Sequence, residues 1–250
     1  VLGTGPDDEC QVNTFIQSNS ELSSEQSDQW SFGLVFDPTN WLSLKADYWN
    51  IKISDTITYI SAQSVVDRDN GTDPRAIPPG LGVTRDAVTG VISRVDAGYA
   101  NEGTLKTDGI DLNAVTRFNF GTWGALTQNW TYSRIFTYDV DGTDIIGNVG
   151  SPDDRAALGN TWTYGPFSAT WNINYIGSQE SSPTYKVGSY VTHDLQFTWM
   201  PPVKGMTLTA GVLNAGDKMP SLVPYDGRNF NFYLYDSYGI QPYLRFTQKF

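Results

Sequence analysis

Polar and apolar residues alternate with a period of two along most of this chain, the spacing that sends successive side chains to opposite faces of a β-strand. Phe167, Ala169, Trp171, Ile173 and Tyr175 alternate with Ser168, Thr170, Asn172 and Asn174. Val191, Leu195, Phe197 and Trp199 alternate with Thr192, Asp194, Gln196 and Thr198, and Met206, Leu208, Ala210 and Val212 with Thr207, Thr209 and Gly211. Ile110, Leu112, Ala114 and Phe118 likewise oppose Asp111, Asn113 and Arg117. Read this way, with turn residues as boundaries, the chain predicts about nine strands, near 27–37, 41–54, 105–119, 123–138, 155–165, 167–178, 189–200, 205–214 and 238–250.

Alternation alone also fits a soluble β-sandwich, so the connections carry the distinction. Short turns, Asp37-Pro38-Thr39-Asn40, Phe120-Gly121-Thr122, Gly165-Pro166 and Pro201-Pro202-Val203-Lys204, take turns with long segments at 55–104, 139–154, 179–188 and 215–237. Short turns on one rim and long loops on the other are the layout of an outer-membrane barrel. A sandwich has no reason to keep that order. Trp41, Trp123 and Trp199 fall near the short turns, and Tyr48, Tyr132 and Tyr175 nearer the long loops, as two interfacial girdles would. The reading is therefore all-β: an antiparallel transmembrane β-barrel segment.

The last strand alternates too. Leu244, Phe246 and Phe250 share one face, with Tyr243, Arg245, Thr247 and Lys249 opposite, so these three residues are expected to form an apolar closing edge used in barrel assembly. An odd count of strands ending on the short-turn side leaves at least one strand to be supplied upstream. Open edges are not tolerated in lipid. The chain is thus expected to be the carboxy-terminal part of a larger barrel, with residues 1–26 as an extracellular loop.

Composition agrees: 8 Trp, 14 Tyr, 12 Phe and 24 Gly with only 17% charged residues describe strands, turns and aromatic surface. Mean hydropathy is −0.34 and no apolar run reaches the eighteen or so residues of a membrane helix, whereas a barrel strand needs about ten alternating ones. A net charge of −11 excludes nucleic acid as a partner, because phosphate binding needs a basic surface. Cys10 is the single cysteine and has no internal disulfide partner.

Several short motifs then acquire meaning together. Phe32-Gly33-Leu34-Val35-Phe36-Asp37-Pro38, the strand Trp41 to Ile53 with Asp47-Tyr48-Trp49-Asn50-Ile51 inside it, Gly109-Ile110-Asp111-Leu112, the corner Asn214-Ala215-Gly216-Asp217-Lys218-Met219-Pro220 and the terminal Phe250 resemble the carboxy-terminal barrel of TonB-dependent outer-membrane receptors. The resemblance runs through most of 27–250. It departs from the family at Ala215-Gly216, where a bulky apolar pair is usual, and at Gln248, where an apolar residue is usual. It implies a barrel of about 22 strands with a plugged lumen, in the outer membrane of a Gram-negative bacterium. Such a receptor imports a scarce ligand (an iron chelate, cobalamin, carbohydrate or peptide) with the inner-membrane TonB system. Its partners would be outer-membrane lipid, the barrel-assembly machinery and TonB, reached through a plug domain and TonB-binding box that have no counterpart in these residues.

No catalytic constellation is present in the sequence. His193 has no Cys or second His to work with and reads as a strand-surface residue. The acidic stretches Asp67 to Asp73 and Asp139 to Asp144 place carboxylates near a Gly, but without the spacing or terminal Glu of an EF-hand, so they read as solvated turns and neither a metal nor a cofactor is expected. If the apolar faces meet lipid, Lys45, Asp47, Asp111, Asn113, Arg117, Asp194 and Gln196 face the lumen, as contacts for plug or ligand or as a hydrated wall. Two other classes stay open: a passive porin or an exported-protein translocator, and a soluble glycan-binding β-sandwich.

Overall fold

The computed structural model describes residues 13–249. Cys10 and Phe250 lie outside the described residues. In chain order the elements are β1 (Thr14–Gln17), β2 (Gln26–Thr39), β3 (Leu42–Ile60), α1 (Ala62–Asp69), β4 (Gly82–Arg85), β5 (Ile92–Asn119), β6 (Ala125–Val140), β7 (Thr143–Asp144), β8 (Asp154–Tyr164), β9 (Phe167–Ile176), β10 (Gln179–Ser182), β11 (Tyr185–Val187), β12 (Tyr190–Trp199), β13 (Met206–Leu213) and β14 (Gln241–Gln248). Nine of them form one path, β14-β13-β12-β9-β8-β6-β5-β3-β2, in which each long strand lies beside its neighbour in sequence. The pairs from β6 to β14 are antiparallel over eight to ten residues, except β12 with β13, which pair over five. This is the meander expected from the alternation.

Short turns follow the chemistry of their residues. Gly165, with φ +53°, precedes Pro166 between β8 and β9, the arrangement of a hairpin turn with glycine at its first central position. Asp141 and Gly142 both have positive φ (54° and 83°) between β6 and β7, as a type I′ hairpin turn requires.

The structure corrects the sequence reading in three places. Trp123 does not open a strand: it ends a 3-10 turn, Gly121–Trp123, and β6 starts at Ala125. β3 and β5 are longer than expected, reaching Ile60 and beginning at Ile92, so much of the 55–104 segment is strand. The rest of that segment contains a helix, α1, which low helix-forming composition had not suggested; Ser61 caps it, its side-chain oxygen accepting the Ser64 amide at 3.1 Å. Local capping and burial of one face outweigh weak propensity here.

The chain divides into two compact units. One comprises 30–50, 107–139 and 144–250 and contains most of the nine-strand wall. Its registers put Leu158, Ile173, Trp171, Leu195, Phe197, Ala210, Leu244 and Phe246 on one face, and Asn172, Asp194, Gln196, Gly211 and Tyr243 on the other. The other comprises the segment ending at Gln29, 51–106 and 140–143. It has a small core of its own: Ile60, Val65, Ile92, Val95 and Ala100, packed with Ala62, Val66, Ile77, Leu81 and Val83. Here β4 and β5 pair antiparallel, and β1 runs parallel to β5 with Thr14 opposite Val95.

Candidate functional site

Three groupings of side chains have built geometry: the polar face of the wall, the packed loops at its long-loop rim, and an ion network in the smaller unit.

On the wall, the seven residues expected on the polar face lie on β3, β5 and β12, and the registers put Asp194 and Gln196 on the face opposite Leu195 and Phe197. Lys45 Nζ lies 2.8 Å from Asp47 Oδ2, two positions apart on β3. Asp111 Oδ1 accepts the Ser133 hydroxyl at 2.5 Å, tying β5 to β6. Asn113 donates to the Leu112 carbonyl at 3.1 Å, and the exposed Arg117 lies farther along β5 on the same face, its backbone amide donating to the Trp41 carbonyl. Asp194 accepts the Asn214 amide at 2.8 Å and the Asn174 side chain at 3.2 Å. Gln196 Oε1 accepts the Tyr243 hydroxyl at 2.8 Å; the phenol reaches it across Gly211, whose register position it covers.

Two of the glycines in the sequence motifs now have physical reasons. A Cβ at Gly109 would stand 2.5 Å from the Arg134 carbonyl and 2.7 Å from the Trp49 indole, so the Gly-Ile-Asp start of the membrane stretch of β5 exists to seat Trp49. Gly33 leaves room in the same way for the Asp47 carboxylate. Asn214 and Asp217, both at positive φ, build the corner after β13: the Asn214 side chain donates to the Lys218 carbonyl at 2.9 Å and accepts its amide at 2.8 Å, and Asp217 accepts the Ile240 amide at 3.0 Å.

The apolar face is interrupted once, in a way the sequence reading missed. Thr116 donates to Gln128 Oε1 at 3.1 Å, Gln128 to Asn160 Oδ1 at 2.7 Å and Asn160 to the Trp171 carbonyl at 3.1 Å, a ladder crossing β5, β6, β8 and β9. Trp171 in turn donates its indole N–H to His193 Nδ1 at 3.3 Å. His193 is thus a partner in a surface ladder on that face. The only sequence signal was that Thr116, Gln128 and Asn160 fall on the apolar parity of three adjacent strands.

At the rim, loop residues bury one another. Val187, Tyr190, Val223 and Tyr235 form a cluster, joined by Val149, Ile176, Tyr185, Phe230 and Leu234. Gln179 donates to the Tyr235 hydroxyl at 2.5 Å and accepts the Gly150 amide at 2.7 Å, and Tyr185 donates to the Pro224 carbonyl. Burial pushes the Tyr235 phenol above its ordinary range, opposed by the Gln179 hydrogen bond. Under the 215–240 segment lies a cavity of about 270 Å³ whose polar walls include Asn174, Thr192, Asp194, Asp236 and Gln241.

In the smaller unit, Arg68 of α1 is buried, its side chain 1% exposed. It donates to the Ala76 carbonyl at 3.0 Å and lies 2.9 Å from Glu102 Oε2 and 3.5 Å from Asp73. The Glu102 contact is an ion pair whose N–H bonds are not aligned for a hydrogen bond, so Arg68 Nε and Glu102 Oε2 are buried without one. Arg75 holds Asp73 through Nε and Nη2 at 2.7–3.1 Å and keeps that carboxyl well below the usual carboxylate range. The acidic stretches are therefore spoken for by arginines and amides: Asp69 takes Arg85 at 2.6 Å, and Asp141 Oδ1 accepts the Thr104 amide at 2.7 Å. Among the described residues no group of three or more His, Cys, Asp or Glu could hold a metal ion.

Comparison with known proteins places these features. The family model described as TonB dependent receptor-like, beta-barrel matches residues 2–215. The solved structure of the outer membrane transporter YddB from Escherichia coli is similar with a TM-score of 0.65 at 13% identity, over 97% of this chain and 35% of its own. The siderophore receptor PirA from Acinetobacter baumannii gives 0.65 at 13% identity over 94% and 33%, and the FrpB iron transporter from Neisseria meningitidis 0.61 at 14% over 95% and 33%. The chain spans about a third of the length of these structures, and at such identities the likeness is one of fold. No curated protein matches the sequence.

Proposed function

Because this chain belongs to the TonB-dependent receptor-like β-barrel family, we propose that it forms about nine strands of the wall of a larger, 22-stranded barrel in a Gram-negative outer membrane, serving TonB-dependent uptake of a scarce ligand. The observation that carries this reading is the two-faced wall: nine neighbouring strands with large apolar side chains exposed on one side and hydrogen-bonded polar ones on the other. Water on both sides would make the first face costly; hydrocarbon makes it the favoured one.

In this reading the polar face lines the lumen. Lys45, Asp47, Asp111, Asn113, Arg117, Asp194 and Gln196 present charges and amides to a plug or a passing ligand, with Asp111, Asp194 and Gln196 fixed by cross-strand bonds. Leu244, Phe246 and Phe250 give the closing strand its lipid-facing edge and its assembly signal. The segment up to residue 26 and the long connections stand outside the cell, where they capture the ligand. A plug domain and the TonB system complete the transport cycle, and no bond-making chemistry is assigned. The structural neighbours named for siderophores and iron resemble this chain only in fold and do not choose its ligand.

Fractionation of source cells, followed by immunoblotting with an antibody to the carboxy-terminal segment, tests the reading. The expected result is an outer-membrane band at roughly three times the 27.7 kDa of this chain, with mobility that changes on heating as barrels unfold in detergent. A soluble band at the chain's own mass would overturn it in favour of a glycan-binding sandwich.

A further inference from the structure

The smaller unit contains a cavity of about 300 Å³ bordered by Thr58, Arg75, Glu102, Thr104 and Asp141, with Gly103 on its wall. We propose that this cavity is a binding subsite for a neutral sugar ring carrying adjacent hydroxyl groups. The inference rests on the reading that the long connections capture the ligand, and it names the ligand class.

The argument starts from what is already paired. Arg68, buried behind the cavity, pairs with Glu102 Oε2; Asp73 takes Nε and Nη2 of Arg75; the Thr104 amide takes Asp141 Oδ1. Each charged side chain is thereby fixed by one edge. The other edges are left facing one another at a distance: Arg75 Nη1 is 3.9 Å from Glu102 Oε1, beyond hydrogen-bond length. A group seated between them must accept from the guanidinium and donate to the carboxylate. A hydroxyl does both. A second hydroxyl on the adjacent carbon has Asp141 and the Thr58 and Thr104 hydroxyls as partners on the same wall.

Other ligand classes meet opposition here. A carboxylate or phosphate would face Glu102 and Asp141, and an ammonium group or metal ion would face Arg75. Like charges in a partly desolvated pocket repel strongly, so the mixed wall selects a neutral, polyhydroxylated group. Gly103 lets the Thr56 and Thr58 hydroxyls pack against the backbone at this wall, since a Cβ there would collide with both and crowd Asp141.

The test uses the full-length protein in detergent, titrated calorimetrically with maltotetraose, cellotetraose, xylotetraose and dextran, beside Arg75→Gln and Asp141→Asn variants. Arg75 is 60% exposed and Asn at 141 retains the Oδ1 acceptor for Thr104, so both variants are expected to fold, which circular dichroism checks. At least one of these saccharides should bind, and each variant should weaken it by roughly tenfold or more, the scale of a lost hydrogen bond to a charged group. Gly103→Ala, whose methyl displaces the Thr58 hydroxyl from the cavity wall, should weaken binding as well. Binding of none of the four, or binding indifferent to all three substitutions, would overturn the proposal. The assay needs no energy source, so its failure is separable from that of the transport reading. Saccharide binding without TonB-dependent uptake would leave this inference standing, whereas uptake without saccharide binding would leave only the other.

Discussion

The two units of this molecule are both mainly β, yet they treat apolar side chains in opposite ways. In the smaller unit Val65 and Val95 are 0% and 1% exposed and sit at the centre of a core. In the wall, Leu195, Phe197 and Leu244 are 44%, 49% and 87% exposed on one face. Hydrophobic residues go where water is absent, so the first unit has water around it and makes its own interior, while the wall uses hydrocarbon in place of one. Polar groups follow the inverse rule. The wall's amides and carboxylates bond laterally across strands, and the smaller unit's single buried guanidinium is enclosed by carboxylates.

That contrast breaks most severely if the smaller unit loses Arg68. Replacing it with Leu leaves Asp73 and Glu102 crowded without their buried cation, at an expected cost of about 3–5 kcal/mol. Hydrogen exchange should rise through residues 62–100 and stay unchanged in β8, β9 and β12. Matching losses in those strands would show that the two units fold as one. Next in size is a charge on the wall: Leu195→Arg should destabilise the barrel by about 2–4 kcal/mol in lipid, and Gln196→Arg, one residue along but on the other face, by much less. Equal effects in a urea titration of bilayer-inserted protein would refute the two-faced wall.

Much of this was legible in the sequence because a strand wall writes its two environments into a period of two. The facing of Asp194 and Gln196 against Leu195 and Phe197 needed no structure. What stayed hidden depends on neighbours that only the register brings together. Trp49 and Gly109 are sixty positions apart, so the motif around the glycine could be seen but not its cause. The Thr116–Gln128–Asn160 ladder looked like three separate imperfections. The 55–104 segment was opaque for another reason: its core is assembled from short pieces, with glycines and prolines between them, and no stretch repeats long enough to reveal a period. The ion network around Arg68, and with it the cavity, was hidden for the same reason.

The seat of Trp49 gives a smaller, sharper test. Gly109→Ala pushes a methyl against the Arg134 carbonyl and the indole, for an expected loss of about 1–3 kcal/mol and a shift in tryptophan emission. Pairing it with Trp49→Ala should recover part of that loss, because removing the indole relieves one of the two clashes. Additive losses in the double variant would mean the glycine serves the backbone alone.

The smallest expected effect reports on the boundary between the two environments. Ser61 caps α1 with its side-chain oxygen, and the helix it starts is only eight residues long, too short to persist without tertiary packing. Ser61→Ala should therefore cost about 1 kcal/mol, the usual price of a lost cap. Ser61 follows β3 directly but its hydroxyl bonds within α1, so that loss should appear as faster amide exchange over 62–70, with Val65 and Val66 carrying it into the small core, and as no change in the heat-modified mobility of the barrel. A protein whose helix frays while its wall stays shut would have one unit stabilised by its own core and another stabilised by lipid. If the cap instead altered the barrel's own unfolding, the apolar burial around Val65 would have to be counted as part of the wall, and the contrast between the two regions would collapse into one cooperative structure.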